Sequence, residues 1–304
     1  MMDLSKTVDR IKALLEDCDC VLVGAGAGLS TAAGLDYGGK RFTDNFSDFI
    51  RKYGFTDMYS SGFYPFESEE KKWAYWARHI YTNNTGMTKM PLYEKLLKLL
   101  DGKDYFVITT NVDEQFFKAG FDEKRVFATQ GSYRFLQCSR ACHDRLYDDT
   151  EIVQKMLENT NEELEIPSSL VPVCPVCGGS MDVHLRKDDY FVEDEAWHTQ
   201  SSAYRDFLAK RRDDKCLMME FGIGFNTPAI IRFPFDTYLS ILSDWNLVRF
   251  NKNDLQLAID YHKTYKLVDV DDFSSYNLPQ SLTDRYTPVS YDIELVVDKL
   301  LGIM

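Results

Sequence analysis

The sequence predicts an α/β fold: a doubly wound parallel sheet with helices on both faces and a small cysteine-bearing module set into it. Three observations carry this. Short apolar runs alternate with stretches of helical periodicity, the pattern that a parallel sheet with crossover helices produces. The first run, Cys20-Val21-Leu22-Val23-Gly24, opens directly onto a glycine-rich turn. Two cysteine pairs, Cys138/Cys142 and Cys174/Cys177, interrupt the series in mid-chain.

Composition bounds the reading. The 304 residues are 44% hydrophobic and 27% charged, an ordinary globular balance that fits one large domain with an insert, or two domains. Acids outnumber bases 48 to 35, a net charge of −13. Non-specific nucleic-acid binding and docking on anionic lipid both need Lys and Arg against phosphate, so both are disfavoured. The N-terminus, Met1-Met2-Asp3-Leu4-Ser5-Lys6, has no apolar signal core. No stretch approaches the roughly 18 apolar residues of a membrane span. A cytoplasmic protein is expected, its seven cysteines thiols or metal ligands rather than disulfides.

Leu4, Val8, Ile11 and Leu15 recur at helical spacing, so 4–17 reads as an amphipathic helix. After the first strand, Leu29 to Ala33 opens the next helix. Residues 36–100 are rich in aromatics, with helical patterns at 71–80 and 90–100, and read as a lid or small helical subdomain. Tyr105–Thr110 and Val126–Thr129 are the next buried strands. The acidic stretch Asp148 to Glu165 reads as a solvated bulge. Lys215–Gly222 and Leu247–Asn251 return to the strand pattern, and Ile293–Leu301 is a closing helix. The expected division is 1–45, 100–135 and 205–304 for the sheet domain, 46–99 for the helical lid, and 136–204 for the cysteine module with its acidic insert.

The turn Gly24-Ala25-Gly26-Ala27-Gly28 lies between strand and helix, where glycines let a backbone approach a phosphate and the helix N-terminus offers N–H groups. The dinucleotide spacing GxGxxG fails: Leu29 or Thr31 stands where the third glycine belongs. The segment about 20 residues on, Asn45 to Tyr53, reads as helix rather than a strand ending in an acid, which disfavours a dehydrogenase.

Cys174-Pro175-Val176-Cys177-Gly178-Gly179 has the form of a zinc knuckle, and Cys138-x3-Cys142 is a looser partner pair. Four thiolates suit a closed, structural tetrahedral zinc site; His143 is an alternative ligand. Cys18, Cys20 and Cys216 flank or sit in apolar strands and read as small core residues.

Gly26-Ala27-Gly28-Leu29-Ser30-Thr31-Ala32-Ala33-Gly34-Leu35-Asp36-Tyr37 resembles the NAD signature of sirtuins, GAG-(I/L)-S-x-x-(S/A)-G-I-P-D-F. Thr110-Asn111-Val112-Asp113 resembles the family's TQNID segment, and Gln130-Gly131 stands at the place of its HG dipeptide. The four cysteines follow, then Phe221-Gly222-Ile223-Gly224 in place of GTS, and Leu247–Asn251 in place of a late strand ending in Asn. The order of all these elements matches, over about residues 20–300. A proline before Asp36 is missing, Tyr37 replaces Phe, and Gly38 stands where Arg is usual. Gln130 stands where a deacylating sirtuin has its catalytic histidine. This pattern resembles the class M (macrodomain-linked) sirtuins of bacteria and fungi.

The resemblance implies a Rossmann-like sirtuin fold, NAD as co-substrate, a structural zinc, and protein mono-ADP-ribosylation. It implies that Asp113 binds the nicotinamide carboxamide, that Asn111 orients the ribose or the nucleophile, and that Gln130 hydrogen-bonds a ribose hydroxyl or an acceptor. It places Gly26, Ala27, Gly28, Ser30, Thr31, Asp36 and Tyr37 in the cofactor loop, with Phe42 beside them. Gly222, Gly224 and Asn251 fall on the adenosine side, and Asp292 loosely on the adenine loop. Asn111 and Asp113 also suit turn capping, and Asp292 a helix N-cap. The implied partners are an acceptor protein, a lipoylated carrier resembling the glycine-cleavage H protein, and a macrodomain hydrolase that removes the mark. Two rivals stand beside this reading: an NAD-dependent lysine deacylase with an unusual base, and a non-enzymatic NAD or ADP-ribose sensor. Glutamine does not titrate near neutral pH and cannot serve as a general base, which argues against the first.

Overall fold

The computed structural model describes residues 3–261, 264–269, 273 and 278–303. The chain opens with helix α1 (Leu4–Asp17), capped by Asp3, whose carboxylate accepts from the N–H groups of Ser5 and Lys6. Its buried face is Thr7, Val8, Ile11 and Leu15, at helical spacing. Strand β1 (Cys20–Ala25) and the short helix α2 (Ala27–Ala32) follow. A helical module comes next: α3 (Gly39–Tyr53), α4 (Met58–Ser61), α5 (Glu69–Ile80) with a π-helical extension over Tyr81–Thr85, and α6 (Pro91–Leu99). Strand β2 (Asp104–Thr109), helix α7 (Gln115–Lys118) and strand β3 (Val126–Ala128) return the chain to the sheet.

The insert holds β4 (Gly131–Cys138), β5 (Tyr147–Asp148), α8 (Thr150–Glu158) and β6 (Met181–Leu185). After it come α9 (Glu195–Arg211), β7 (Cys216–Phe221), α10 (Arg232–Ile241), β8 (Trp245–Phe250), the pair β9 (Leu257–Tyr261) and β10 (Thr264–Val268), α11 (Gln280–Thr283), β11 (Tyr286–Val289) and α12 (Ile293–Leu300).

Six strands form one sheet in the order β11-β8-β7-β1-β2-β3, every neighbouring pair parallel. From β1 the chain first builds outward through β2 and β3, then crosses to β7 on the other side. This reversal makes a topological switch point beside β1, where open α/β sheets bind ligands. The pleat explains the two cores. Val21, Val23 and Ala25 face one side with apolar residues of α1, α6 and α12, while Cys20 and Leu22 face the other with residues of α9 and α10. Cys20 and Cys216 are buried apolar packing residues, as expected.

Register aligns the carboxyl ends of the strands. Ala25 pairs with Thr109 and with Phe221, Thr109 with Ala128, Phe221 with Phe250, and Phe250 with Val289. The residues that follow these ends, Gly26, Asn111, Gln130, Gly222 and Asn251, therefore share one edge of the sheet.

The acidic stretch is not a solvated bulge. Residues 150–158 form α8, whose Val153 and Met156 are buried, and Leu164 and Ile166 return to the same core. The acids of α8 itself, Glu151 and Glu158, lie exposed on its outer face, while the apolar face packs into the aromatic cluster. Phe42 differs from expectation too: it is 2% exposed and stacks on Phe46 inside that cluster. The cluster draws on Phe46, Phe49, Trp73 and Tyr75 from the helical segment and on Tyr133, Leu136 and Met181 from the insert. Strand β11 is not legible in the sequence because it is short and contains Pro288, tolerable at a sheet edge where one N–H has no ladder partner to serve. His262 lies outside the described residues. Among the described residues no helix is long and apolar enough to cross a membrane.

Candidate active site

The loop after β2 carries the two residues singled out for chemistry. Asp113 is 4% exposed and accepts from Ser30 Oγ at 2.5 Å through one carboxylate oxygen and from Gln115 N at 3.0 Å through the other. Asn111 Nδ2 donates to Gly26 O at 3.0 Å and to Tyr93 OH at 3.3 Å. Tyr93 OH in turn lies 2.9 Å from Ser30 Oγ. Because the serine hydroxyl hydrogen is committed to Asp113, the tyrosine must donate to the serine. The donors then run in one direction: Asn111 amide to Tyr93 hydroxyl, Tyr93 to Ser30, Ser30 to Asp113. Burial raises the Asp113 carboxyl above its ordinary range against the opposing pull of Ser30, and pushes the Tyr93 phenol well up.

Tyr93 is inconspicuous in the sequence. Next to Leu92 and three residues before Leu96, it looks like core, and only the fold aims its hydroxyl at Asn111 and Ser30. Two further residues are hidden for the same reason. Glu114, directly after Asp113, sits at φ 60°, a conformation that costs a non-glycine residue about 1 kcal/mol or more. Its Oε1 accepts from Ser132 Oγ at 2.8 Å, joining the Asn111–Asp113 loop to the Gln130–Ser132 turn. Tyr133 repeats the link: its N–H donates to Val112 O at 2.9 Å and its hydroxyl lies 3.1 Å from Tyr37 OH.

Gln130 is half-buried in the turn between β3 and β4. Its backbone carbonyl accepts from Arg186 N at 3.0 Å, and among the described residues its side-chain amide takes no partner. Tyr37 is half-buried, while Ala27, Thr31 and Asp36 are exposed; Asp36 Oδ1 accepts from Gly38 N at 3.0 Å. Arg41 holds this loop to the helical module, donating to Asp36 O at 3.0 Å and Asn83 Oδ1 at 2.8 Å.

The glycines of the turn do different work from a simple phosphate cradle. Gly26 N donates to Phe221 O and Gly28 N to Gly222 O, both at 3.0 Å, so two of the turn's N–H groups are consumed within the protein. A Cβ on Gly28 would lie 2.6 Å from Gly222 Cα, so the glycines let α2 pack directly on the end of β7. Gly224 faces open space: a Cβ there would meet no described atom within 4 Å. Asn251 Nδ2 donates to Ile223 O at 2.9 Å, and its Oδ1 accepts from the N–H groups of Asn253 and Asp254 at 3.1 Å. Asp292 caps α12, accepting from Leu295 N at 3.1 Å.

The four cysteines converge. Their sulfurs lie within 4.8 Å of one another, with Cys138–Cys177 and Cys142–Cys174 both at 3.7 Å. A zinc ion bound at about 2.3 Å by four tetrahedral thiolates spaces the sulfurs about 3.8 Å apart, so the set fits a structural zinc. His143 is outside this set of four. Its Nδ1 lies 3.1 Å from Cys142 Sγ and its Nε2 2.9 Å from Tyr147 OH, the arrangement of an outer residue that orients a ligand.

A parallel sheet with its switch point beside a glycine turn, an inserted four-cysteine module, and a polar knot at the carboxyl edge define a nucleotide-binding protein of sirtuin fold. Solved structures agree on the fold. A Sir2–p53 peptide–NAD+ complex superposes with a TM-score of 0.56 at 19% identity, covering 100% of both chains. Sir2Tm bound to a propionylated peptide gives 0.55 at 19% identity, covering 99% of this chain and 98% of that one. No family model matches the chain. A Staphylococcus aureus (strain Mu50) protein named Protein ADP-ribosyltransferase is 32% identical over 302 residues, 99% of this chain and 89% of its own. A Fusarium oxysporum f. sp. cubense protein named a probable bifunctional ADP-ribose hydrolase/ADP-ribosyltransferase is 33% identical over 230 residues, 72% of this chain and 38% of that longer protein. The chain belongs to the protein ADP-ribosyltransferases of the sirtuin family.

Proposed function

We propose that the protein cleaves NAD to nicotinamide and transfers ADP-ribose to a specific acceptor protein, with Asn111, Asp113 and Gln130 carrying the chemistry. The bond between ribose C1′ and the nicotinamide nitrogen breaks with its electron pair going to nicotinamide. The acceptor's nucleophile then bonds C1′ and gives up its proton. Asp113, fixed by Ser30 and Gln115, accepts from the carboxamide N–H; Asn111, held by Gly26 and Tyr93, orients the ribose or the nucleophile. Gln130, with its side-chain amide free of partners among the described residues, hydrogen-bonds a ribose hydroxyl or the acceptor. Gly26, Ala27, Gly28, Ser30, Thr31, Asp36 and Tyr37 form the cofactor loop, and Gly222, Gly224, Asn251 and Asp292 the adenosine side.

One observation carries the choice of transfer over deacylation: Gln130, not histidine, occupies the carboxyl edge. A histidine does lie near the cofactor loop, His79, whose ring centroid is 5.9 Å from that of Tyr37. Burial in the helical module lowers its pKa to about 3, so it stays neutral and is a feeble proton acceptor at neutral pH. The near-full-length likeness to a protein named for ADP-ribosyl transfer supports the same reading. Class M membership, a cytoplasmic location, a lipoylated carrier as acceptor and a macrodomain hydrolase as the opposing enzyme complete the proposal.

The experiment is nicotinamide release and protein labelling from NAD labelled in its adenylate half, with lysate and with lipoylated carrier protein. A single labelled acceptor band with stoichiometric nicotinamide is expected. Cofactor binding without release under either condition would favour the sensor. Release of O-acetyl-ADP-ribose from an acetyl-lysine peptide would favour the deacylase.

A further inference from the structure

Behind the carboxyl ends of β7 and β8 lie four charged side chains that none of these roles uses. Glu220, Arg232, Asp236 and Arg249 are each 2% exposed or less. Arg249 grips Glu220 with two bonds of 2.7 and 2.8 Å and Asp236 Oδ1 at 2.5 Å; Asp236 Oδ2 accepts from Ala258 N at 2.7 Å. Arg249 thus engages both acids. Arg232 is 3.8 Å from the nearest carboxylate oxygen, on Glu220. Its guanidinium donates instead to three loop carbonyls, Ile223 O at 3.2 Å, Asp254 O at 3.0 Å and Gln256 O at 2.9 Å. The Phe225 ring centroid lies 4.4 Å from the same guanidinium. Ile223 O is the carbonyl that Asn251 Nδ2 also reaches.

A buried arginine is costly to desolvate, and apolar side chains of similar volume would serve packing as well or better. Here its fork ties the loop after β7 to the loop after β8, the two loops on the far side of the switch point. We infer that Arg232 is a positioning residue that pre-sets the Gly222–Phe225 and Asn251–Gln256 loops for the adenosine end of NAD. Loops already ordered before binding spare the cofactor the cost of ordering them. The effect belongs to cofactor affinity rather than to bond cleavage, which occurs beside β2 and β3. The inference rests on the proposed reading of this edge as the NAD site.

The test is Arg232→Lys. An ammonium keeps the positive charge but cannot reproduce a planar fork onto three carbonyls. Calorimetric Kd values for ADP-ribose and NAD, and the KM for NAD in nicotinamide release, should rise about tenfold, equivalent to about 1.4 kcal/mol. The kcat at saturating NAD should stay within about twofold, a split that general loosening of the fold would not give. Phe225→Ala removes an exposed ring, leaves the core intact, and should raise the same constants about two- to fivefold. Wild-type Kd and KM in folded Arg232→Lys would overturn the inference, as would a fall in kcat alone. If that variant does not fold, unchanged constants in Phe225→Ala overturn it. Wild-type protein is measured first: failure to bind ADP-ribose or NAD would overturn the proposed function, and this inference with it.

Discussion

A methyl group on Gly28 has nowhere to go. Its Cβ would stand 2.6 Å from Gly222 Cα and 2.9 Å from Gly222 O, both backbone atoms of a strand end that is itself hydrogen-bonded to Phe250. Carbon atoms pack comfortably at about 3.5–4.0 Å, so Gly28→Ala must move α2 back by about 1 Å. Overpacking of this kind costs about 1–3 kcal/mol, and a chain of this length should lose several degrees of Tm. The displacement is carried to Ser30 in the same short helix. Its 2.5 Å bond to Asp113 would stretch beyond hydrogen-bond range, releasing the carboxylate proposed to hold the nicotinamide. A misplacement of about 1 Å at a reacting centre costs about a hundredfold in rate. Thermal melting and nicotinamide release on the same preparation read both effects. Gly224→Ala is the control: its Cβ would meet no described atom within 4 Å, so its Tm should stay at wild type. Wild-type Tm and turnover in Gly28→Ala would refute the reasoning that close backbone approach, rather than turn flexibility, sets this glycine.

Other outcomes follow from the same geometry. Asp113→Asn keeps shape and removes the charge, so nicotinamide release should fall about a hundredfold with Tm unchanged or raised, since a buried carboxylate is relieved; turnover within twofold of wild type would end its assigned role. Asn111→Ala breaks the first link of the donor chain and should abolish release while the fold persists, checked by turnover beside circular dichroism. Cys174→Ser should reduce bound zinc, measured by elemental analysis, from about one ion per chain to near zero and lower Tm, because a structural zinc site contributes directly to folding; an unaltered metal count would remove Cys174 from the ligand set. His79, with its pKa lowered to about 3 by burial, is neutral when folded, whereas the unfolded chain takes up a proton near pH 6.5. Its contribution is therefore fully present above about pH 6.5 and is lost progressively as pH falls toward 3. Denaturant unfolding at pH 7 and pH 5 should lose about 2 kcal/mol more in wild type than in His79→Phe, and equal losses would contradict the sign.

What the sequence discloses and what it hides divide along a physical line. Strands β1, β2, β3, β7 and β8 are short apolar runs buried on both faces, and such runs announce themselves. The cysteines are legible because zinc requires one residue type at narrow spacings. Helix α8 is harder: its acids lower the mean hydropathy, and only Val153 and Met156, three residues apart, betray a buried face. Phe42 sits beside the cofactor signature, yet its destination is set by Phe46 and the rest of the aromatic cluster. Tyr93 and Ser132 are invisible for a different reason. Their hydroxyls matter only because the fold brings α6 against α2 and β4 against the loop after β2. The same holds for Arg232, whose three carbonyl partners lie 9 to 24 positions away in the chain.

The knot at the carboxyl edge explains how a glutamine can stand in a histidine's place without emptying the site. A donor chain runs from Asn111 through Tyr93 and Ser30 to Asp113, and Tyr93 is held far from ionisation by its burial. These groups fix charge and orientation, and no histidine is among them. Deacylation in the family's manner needs such a base, because a ribose hydroxyl must be deprotonated after the acyl oxygen has bonded C1′. Transfer to an acceptor does not, since the nucleophile can lose its proton to water once C1′ is bonded. The cleavage half of the chemistry asks only that the carboxamide be gripped and the ribose oriented, the roles proposed for Asp113 and Asn111, whose side chains are held by Ser30 and Gln115 and by Gly26 and Tyr93. On the proposed reading, a glutamine at position 130 removes the deacylation step and leaves transfer intact, and the burden of selectivity passes to the protein that presents the nucleophile.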